Sequence, residues 1–197
     1  MLNIEKSQEP DSLKDFIRFQ RPENWNDFTP EIKQDIKAYI LEKEQKINED
    51  YVCVYCERNI DLERSHIEHI KPKEKFPKYF KTFDNLSVSC NSPTTCGHQK
   101  GNKYDPKFIH PVEDNPHLFM TYELSTGMVI PLNESVEDRV NVTCEILNIN
   151  NNAELLNARK TVLIQLINSG KNVIDWIDYF NEFDSLIHFY KKEILKV

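Results

Sequence analysis

Two pairs of cysteines on either side of a polar segment are the feature that most constrains the fold. Cys53 and Cys56 form a Cys-x-x-Cys pair, and Cys90 and Cys96 form a second pair with five residues between them. A tight turn can place two thiolates on one side of a zinc ion, and a second loop can complete the tetrahedron. The sequence therefore predicts one structural Zn²⁺ site, although the second gap is wider than usual. Buried thiols without a ligand are the alternative, and this is the interpretation we favour for the isolated Cys144.

The composition is that of a folded protein without disulfides. Of 197 residues, 39% are hydrophobic and 29% are charged, which is enough apolar material for a core. No apolar stretch approaches the roughly 20 residues of a membrane span, and the first residues do not resemble a secretory signal. We therefore expect a cytoplasmic location, where thiols stay reduced and are available as metal ligands.

The charge is distributed unevenly along the chain. The net charge is -7, yet residues 71–107 carry eight lysines against three acidic residues, a local balance of +5 that leaves -12 for the remainder. A basic segment in an acidic protein predicts a local site for an anion, with the acidic surface facing solvent or a basic partner. The lysines are residues 71, 73, 75, 78, 81, 100, 103 and 107.

Periodic apolar residues predict mostly helices outside the cysteine segment. Thr29 and Pro30 are a typical helix N-cap and first helical residue, and Ser125-Thr126-Gly127 suits a hairpin turn. Residues 136–147 fit either a strand or a helix. The predicted helices cover residues 12–19, 30–47, 152–168 and 173–195, and the predicted hairpin joins residues 118–122 to 128–132.

The sequence HIEHIKP, residues 66–72, lies between the cysteine pairs. If Glu68 and His69 end a short strand, their side chains leave on opposite faces, so that one can hold a metal while the other contacts a water molecule. His66 shares the face of Glu68. It is a candidate third metal ligand or phosphate contact, with a purely structural role as the equal alternative.

A second candidate ligand group lies in CGHQKGNK, residues 96–103. His98 and Asn102 have the i, i+4 spacing that places two side chains on one face of a helix, where both can contact one ion. Lys100, between them, can contribute positive charge to an anionic substrate or can be an ordinary solvated lysine.

In this order, Cys-x-x-Cys, Glu-His-Ile-x-Pro, Asn-Leu, a second cysteine pair and His-x-Lys-Gly resemble the HNH endonuclease motif over residues 53–103. A wider similarity, over about residues 37–160, is to the HNH proteins of Septu-type and retron-associated antiphage defence. It is carried by YCER, SHIEHIKPK, FDNL, SCNS, CGHQKGNKYD, and LNIN with Arg159.

The resemblance implies an α+β fold, in which a zinc-containing ββα-metal core carries helical N-terminal and C-terminal extensions. It places the nuclease core at residues 51–107, the N-terminal extension at 1–50, and a hairpin with a helical region at 108–197. Carried onto this chain, it makes His69 the general base and Glu68 its companion acid, where many relatives have aspartate. Asn85 is then the central asparagine that holds the loop and orients the base.

The final histidine of the motif corresponds to His98, a ligand of the catalytic Mg²⁺ or Mn²⁺ together with Glu68. His98 lies one residue further from Cys96 than the common pattern has it, which leaves Asn102 as a competing or assisting ligand. Lys100 is the candidate for stabilising a developing oxyanion.

The resemblance implies DNA as substrate and an ATPase of the same defence system as partner. Two alternatives remain open at this point. One is an RNA-cleaving nuclease, because phosphate chemistry is common to both nucleic acids. The other is a zinc-knuckle nucleic-acid-binding module without catalysis, although binding alone does not need Glu68, His69, Asn85 and His98 in this order.

Overall fold

The computed structural model describes residues 1–170 and 180–196, and it shows a mixture of helices and short antiparallel strands. The helices are α1 (Asp11–Gln20), α2 (Pro30–Glu44), α3 (Cys96–Lys100), α4 (Glu137–Leu147), α5 (Ala153–Ser169) and α6 (Asp184–Phe189). The strands are β1 (Lys46–Ile47), β2 (Asp50–Val52), β3 (Asn59–Ile60), β4 (Ser65–His69), β5 (Leu86–Cys90), β6 (Met120–Tyr122) and β7 (Val129–Pro131).

Helix α2 begins where the sequence predicts it. The Thr29 hydroxyl accepts a hydrogen bond from the Ile32 amide, and Pro30 occupies the first turn, where its missing N–H costs nothing. The helix ends at Glu44, three residues earlier than predicted, because the chain then turns into β1 and pairs with β2. Its buried side includes Ile36 and Ile40.

Strands β4 and β5 form an antiparallel pair, in which Glu68 lies opposite Ser87 and His66 lies opposite Ser89. The separate sheet β1-β2-β3 is tied to this pair by the buried Gln45. Its amide nitrogen donates to the carbonyls of Val52 and Val88, and its amide oxygen accepts from the Val88 N–H. One side chain thereby fixes β2 against β5.

After the confirmed β6-β7 hairpin, the described part of the chain is mainly helical. The segment 136–147, which fitted either element, forms α4 from Glu137 onward, and α5 ends at Ser169, followed by Gly170 with φ 52°. The prediction of one continuous helix over residues 173–195 is wrong for residues 180–195, which the structure describes. Residues 180–182 are not helical and Phe183 is left-handed with φ 59°, so α6 starts only at Asp184 and continues as a π-helical turn to Leu195. Residues 173–179 lie outside the described residues.

The buried hydrophobic side chains form one cluster that draws on all parts of the described chain, from Met1 to Tyr190. It includes the cysteine segment, through Val54, Tyr55 and Val88, so the candidate site rests on the same core as the helices. Among the helices in residues 1–170 and 180–196, none combines the length and the apolar character that crossing a bilayer requires.

Candidate active site and metal centre

The four paired cysteines meet at one point. The sulfur atoms of Cys53, Cys56, Cys90 and Cys96 all lie within 4.8 Å of one another, and the Cys56–Cys90 sulfur distance is 3.9 Å. Sulfurs at about 2.3 Å from a tetrahedral zinc ion are roughly 3.8 Å apart. The spacing therefore fits Zn²⁺, and the wide gap between Cys90 and Cys96 does not prevent closure.

The chemistry of the four donors also suits a cation. Cys53, Cys56 and Cys96 are buried. Burial opposes ionisation of Cys53, but hydrogen bonds from the other three thiols hold its pKa well below the usual value. The hydrogen bonds to Cys53 in turn raise the pKa of Cys56 and Cys96 well above the usual value. Without an ion, one ionised thiol therefore keeps its neighbours protonated. A cation among the four sulfurs would allow several of them to be thiolates at once. Cys144 lies in α4, outside this cluster, as expected.

The cysteine cluster is joined directly to the segment that carries Glu68. Tyr55, inside the Cys-x-x-Cys turn, is fully buried and donates its hydroxyl hydrogen to Glu68 Oε1 at 3.1 Å. The hydroxyl of Ser89 lies 3.5 Å from the Cys53 sulfur and accepts a hydrogen bond from the Gly97 amide at 3.0 Å. The cysteine site and the candidate catalytic site therefore share their supporting residues.

His66 and Glu68 lie on one face of β4, as strand alternation predicts. Their side chains approach to 3.4 Å, from His66 Nε2 to Glu68 Oε2, and the His98 ring centre is 4.5 Å from the His66 ring centre. Gly97 lies against the first two. A Cβ atom on Gly97 would lie 2.5 Å from His66 Nε2 and 2.6 Å from Glu68 Oε2, so only glycine allows α3 to approach this closely.

Glu68 is held as a carboxylate although it is buried. Burial raises the pKa of Glu68, but the hydrogen bond from His66 and the charge of Lys100 together bring that pKa below the usual value. Lys100 Nζ donates to Glu68 Oε1 at 2.7 Å and to the His69 carbonyl at 2.9 Å. Lys100 is only 1% exposed, so the interpretation as a solvated lysine is wrong.

His69 faces the opposite side of β4. Its Nε2 lies 3.0 Å from the Phe80 carbonyl, and its ring stands edge-on to the Trp25 indole with 4.5 Å between ring centres. A carbonyl oxygen only accepts, so Nε2 carries the hydrogen of the neutral ring and Nδ1 is the basic nitrogen. Burial lowers the pKa of His69 to about 4, which keeps the ring neutral near pH 7.

Asn85 closes the loop between β4 and β5. Its side-chain oxygen accepts from the Lys71 amide at 2.8 Å, and its side-chain nitrogen donates to the carbonyls of Lys71 and Tyr79. Its backbone carbonyl accepts from the Ile70 amide. These contacts fix the loop that carries Phe80, whose carbonyl is the hydrogen-bond partner of His69.

Asn102 is not placed as the i, i+4 spacing suggested. Helix α3 ends at Lys100 and Gly101 adopts φ 49°, ψ -124°, so Asn102 lies in the following turn and does not share a helical face with His98. Within the described residues, the four cysteines are the group of His, Cys, Asp and Glu ligand atoms that lie close enough together to hold an ion without movement. The side chains of His66, Glu68 and His98 are neighbours, but they would have to move closer together before they could share an ion.

Two residues at this site were not assigned a role from sequence. Gly97 follows a cysteine and precedes His98, and a glycine at the start of a ligand-bearing helix is a signal of close approach. Tyr55 carried no sequence signal, since a tyrosine inside a Cys-x-x-Cys turn has no required role. No sequence feature indicated that Trp25, in the N-terminal extension, packs against His69.

The remaining histidines contact other partners. His110 Nδ1 accepts hydrogen bonds from the amides of Val112 and Glu113. His117 and His188 stack on each other, with 5.2 Å between ring centres, beside α6.

Comparison with known proteins finds a relative of similar length. No protein-family model matches the chain. A protein of Vibrio cholerae serotype O1 biovar El Tor, described as "Retron Vc95 putative HNH endonuclease", is 26% identical to it over 186 residues. The similarity covers 87% of this chain and 88% of that relative. It therefore extends over the helical regions as well as the cysteine segment.

Proposed function

We propose that this protein is a metal-dependent HNH endonuclease that hydrolyses phosphodiester bonds of DNA and is the nuclease effector of an antiphage defence system. The observation that carries the proposal is the arrangement around β4. Glu68 and His66 face α3 with His98, while the neutral His69 lies on the other face with an oriented ring. The similarity to a retron protein described as an HNH endonuclease supports both the activity and the defence setting.

In this proposal β4, β5 and α3, which follow one another in the chain, are the two strands and the helix of a ββα-metal core. The nuclease core then covers residues 51–107, between a helical extension at 1–50 and a region with a hairpin and helices at 108–197. The four cysteines hold a structural Zn²⁺ that fixes α3 to the end of β5. They form a site of sulfur donors only, separate from the nitrogen and oxygen donors at Glu68.

His69 acts as general base. Its Nδ1 takes a proton from the attacking water, while Nε2–H stays bonded to the Phe80 carbonyl and keeps the ring in one tautomer. Asn85 acts through this loop, because it fixes the chain around Tyr79 and Phe80. It is a positioning residue and does not itself contact the reacting atoms.

His66, Glu68 and His98 would hold the catalytic ion, Mg²⁺ or Mn²⁺. When bound, such an ion supplies positive charge to the scissile phosphate and to the leaving 3′ oxygen. One carboxylate with two imidazoles is a borderline set that Mn²⁺ accepts more readily than Mg²⁺. Lys100 and Tyr55 hold Glu68 in position through its Oε1, which leaves Oε2 directed towards His66.

Cleavage assays test the proposal directly. Purified protein should cut DNA in the presence of Mn²⁺ or Mg²⁺, and EDTA should stop cleavage. His69→Ala should lower the rate by about 10² to 10⁴ while zinc content and fold stay unchanged. A parallel assay on RNA decides the substrate. Wild-type protein that binds DNA but cuts neither nucleic acid with either ion would instead indicate a binding module.

An ATPase encoded with the protein is the partner that we propose, on the sequence resemblance to Septu-type and retron-associated nucleases. Copurification with a tagged protein tests it. Removing residues 171–197 is not a clean test of docking, because Phe183, Leu186 and Tyr190 are buried in the core and Ser185 bonds to Glu57. Removing these residues would unfold the protein, so a loss of ATPase binding would not show that the last helix is the docking surface.

A further inference from the structure

A cleft beside the candidate active site is formed by the N-terminal segment and the free edge of β4. It encloses about 510 Å³ and lies between the first half of α2 and the chain that leads into β4. His66 is one of its lining residues and contacts Glu68, so the cleft adjoins the group that contains Glu68. The other lining residues are Trp25, Pro30, Lys33, Gln34, Lys37, Leu62, Glu63, Ser65 and Ile67.

The lining of this cleft suits an anionic chain. Two lysines of α2, Lys33 and Lys37, face it, against one carboxylate from Glu63 among the described lining residues. Lys37 Nζ donates to the carbonyls of Leu62 and Ser65 and so fixes the width of the cleft. Lys33 Nζ lies 5.3 Å from the centre of the Trp25 ring, which places a cation next to an aromatic face.

Trp25, which lines the cleft, is held in a fixed orientation. It begins a short 3₁₀ turn in which Asp27 accepts hydrogen bonds from the amides of Glu23 and Asn24, and the Asn24 side chain accepts from the Asn26 amide. The indole is half-buried, stacks on Phe28 with 4.6 Å between ring centres, and also lines a second cleft of about 290 Å³. Phe28 covers one face of the indole, so the part that borders the two clefts is the surface available for a ligand.

We propose that this cleft binds unpaired nucleotides of the substrate, with a base stacked on Trp25 and the phosphate backbone beside Lys33, so that the strand continues to His66 and Glu68. An aromatic ring beside lysines is the combination that binds single-stranded nucleic acid. A base inside a duplex has both faces covered by its neighbours, so Trp25 can stack on it only when it is unpaired. The inference rests on the proposed function, because it names the form of nucleic acid that the nuclease site receives.

Fluorescence of Trp25 tests the stacking without altering that residue. In a Trp176→Phe variant Trp25 is the remaining tryptophan, and with EDTA present no cleavage occurs. A single-stranded oligonucleotide of about 12 nucleotides should quench Trp25 emission saturably, and the matching duplex should bind more weakly by about 5- to 100-fold. DNA and RNA versions of the strand distinguish the two sugars. Binding without quenching, equal quenching by the duplex, or no binding would each overturn the inference.

Charge variants on one helix provide the matched control. Lys33→Gln should weaken single-strand binding by about 2- to 5-fold. It should also make the slope of log affinity against log salt shallower by about 0.7, the value for one lost phosphate contact. Lys43→Gln removes the same charge from the exposed end of α2, outside the cleft, and should change neither. Equal effects of the two variants would contradict the inference. If single strands quench Trp25 but the wild type cleaves nothing, the proposed nuclease activity is wrong and the proposed binding cleft stands. If the wild type cleaves but Trp25 is not quenched, the binding cleft is wrong and the nuclease activity stands.

Discussion

At the residue scale, the site depends on a few close contacts that fix otherwise ordinary side chains. Strand alternation predicts that His66 and Glu68 share one face and that His69 takes the other, and the contacts of these residues agree. Burial is what sequence could not provide. Lys100 looks like a surface lysine in a polar run, yet it is buried because Glu68 offers it a carboxylate and β4 offers it a carbonyl.

Gly97→Ala is expected to abolish cleavage while the protein remains folded. The added Cβ would lie 2.5 Å from His66 Nε2, so the pair formed by His66 and Glu68 must separate. Zinc content and circular dichroism should stay near the wild type, because the Cys53 and Cys96 sulfurs are not displaced directly. Gly170→Ala is the control: it forces an alanine to φ 52° but meets no atom within 4 Å, so it should cost stability and keep activity. If the Gly97→Ala variant cleaves at the wild-type rate, the close approach of α3 to His66 and Glu68 is not needed for cleavage.

His110 predicts a specific pH dependence of stability. Burial lowers its pKa from 6.5 to about 4, so near pH 7 the folded protein holds the neutral ring, with Nδ1 as an acceptor. The unfolded chain therefore binds a proton below pH 6.5 that the folded chain does not bind until about pH 4. The free energy of unfolding should fall as pH decreases through this window, by on the order of 3 kcal/mol. Buried His69, with the same lowered pKa, adds to the slope.

Urea unfolding between pH 4 and 7.5 measures this effect. His110→Asn keeps an acceptor for the amides of Val112 and Glu113 but does not titrate. The free energy of unfolding of this variant should change less steeply with pH than that of the wild type. The difference in slope should correspond to about one proton fewer taken up on unfolding. Identical slopes would show that His110 is not protonated on unfolding in this range.

At the scale of the elements, caps and turn residues predict where α2 and the β6-β7 hairpin begin, but apolar spacing does not predict where helices end or are interrupted. The Thr29–Pro30 start of α2 and the β6-β7 hairpin lie where predicted, because local signals specify both. The end of α2 was missed because pairing of β1 with β2 replaces the last helical turn. Helix α3, with five residues, is too short for an isolated sequence to form it. Its structure depends on Cys96 and on contacts with β5.

The cysteine cluster should therefore contribute much of the stability of β4, β5 and α3. Elemental analysis should find about one zinc per chain, retained after mild EDTA treatment that stops cleavage. Cys96→Ser should lower the zinc content and the midpoint of thermal unfolding, because metal binding is coupled to folding in small domains. Cys144→Ala removes a buried thiol outside the cluster and should lower the midpoint modestly with full zinc content. Freshly purified, folded protein without zinc would exclude a structural zinc site.

At the scale of the whole molecule, the local excess of positive charge is smaller than the sequence suggests. Three of the eight lysines in residues 71–107 pair with carboxylates outside that range: Lys71 with Glu113, Lys100 with Glu68, and Lys107 with Asp138. The segment that looked free to contact phosphate is thus partly neutralised by the acidic remainder. Sequence cannot show this, because each pair joins residues far apart in the chain.

The same pairing predicts how the protein responds to salt and to the removal of acidic residues. Few lysines remain to displace counterions, so the free protein should bind single strands weakly, with a slope of log affinity against log salt of roughly -2 to -3. Glu113→Gln releases Lys71 and should strengthen binding and steepen the slope by about 0.7. Glu49→Gln makes the same change in net charge in the turn between β1 and β2, where Glu49 lies near Lys46. It should have little effect, because charges beyond a Debye length of about 8 Å are screened at physiological salt. Anisotropy titrations at several salt concentrations compare the two variants. Equal strengthening by both would mean that net charge, and not the basic segment, governs binding.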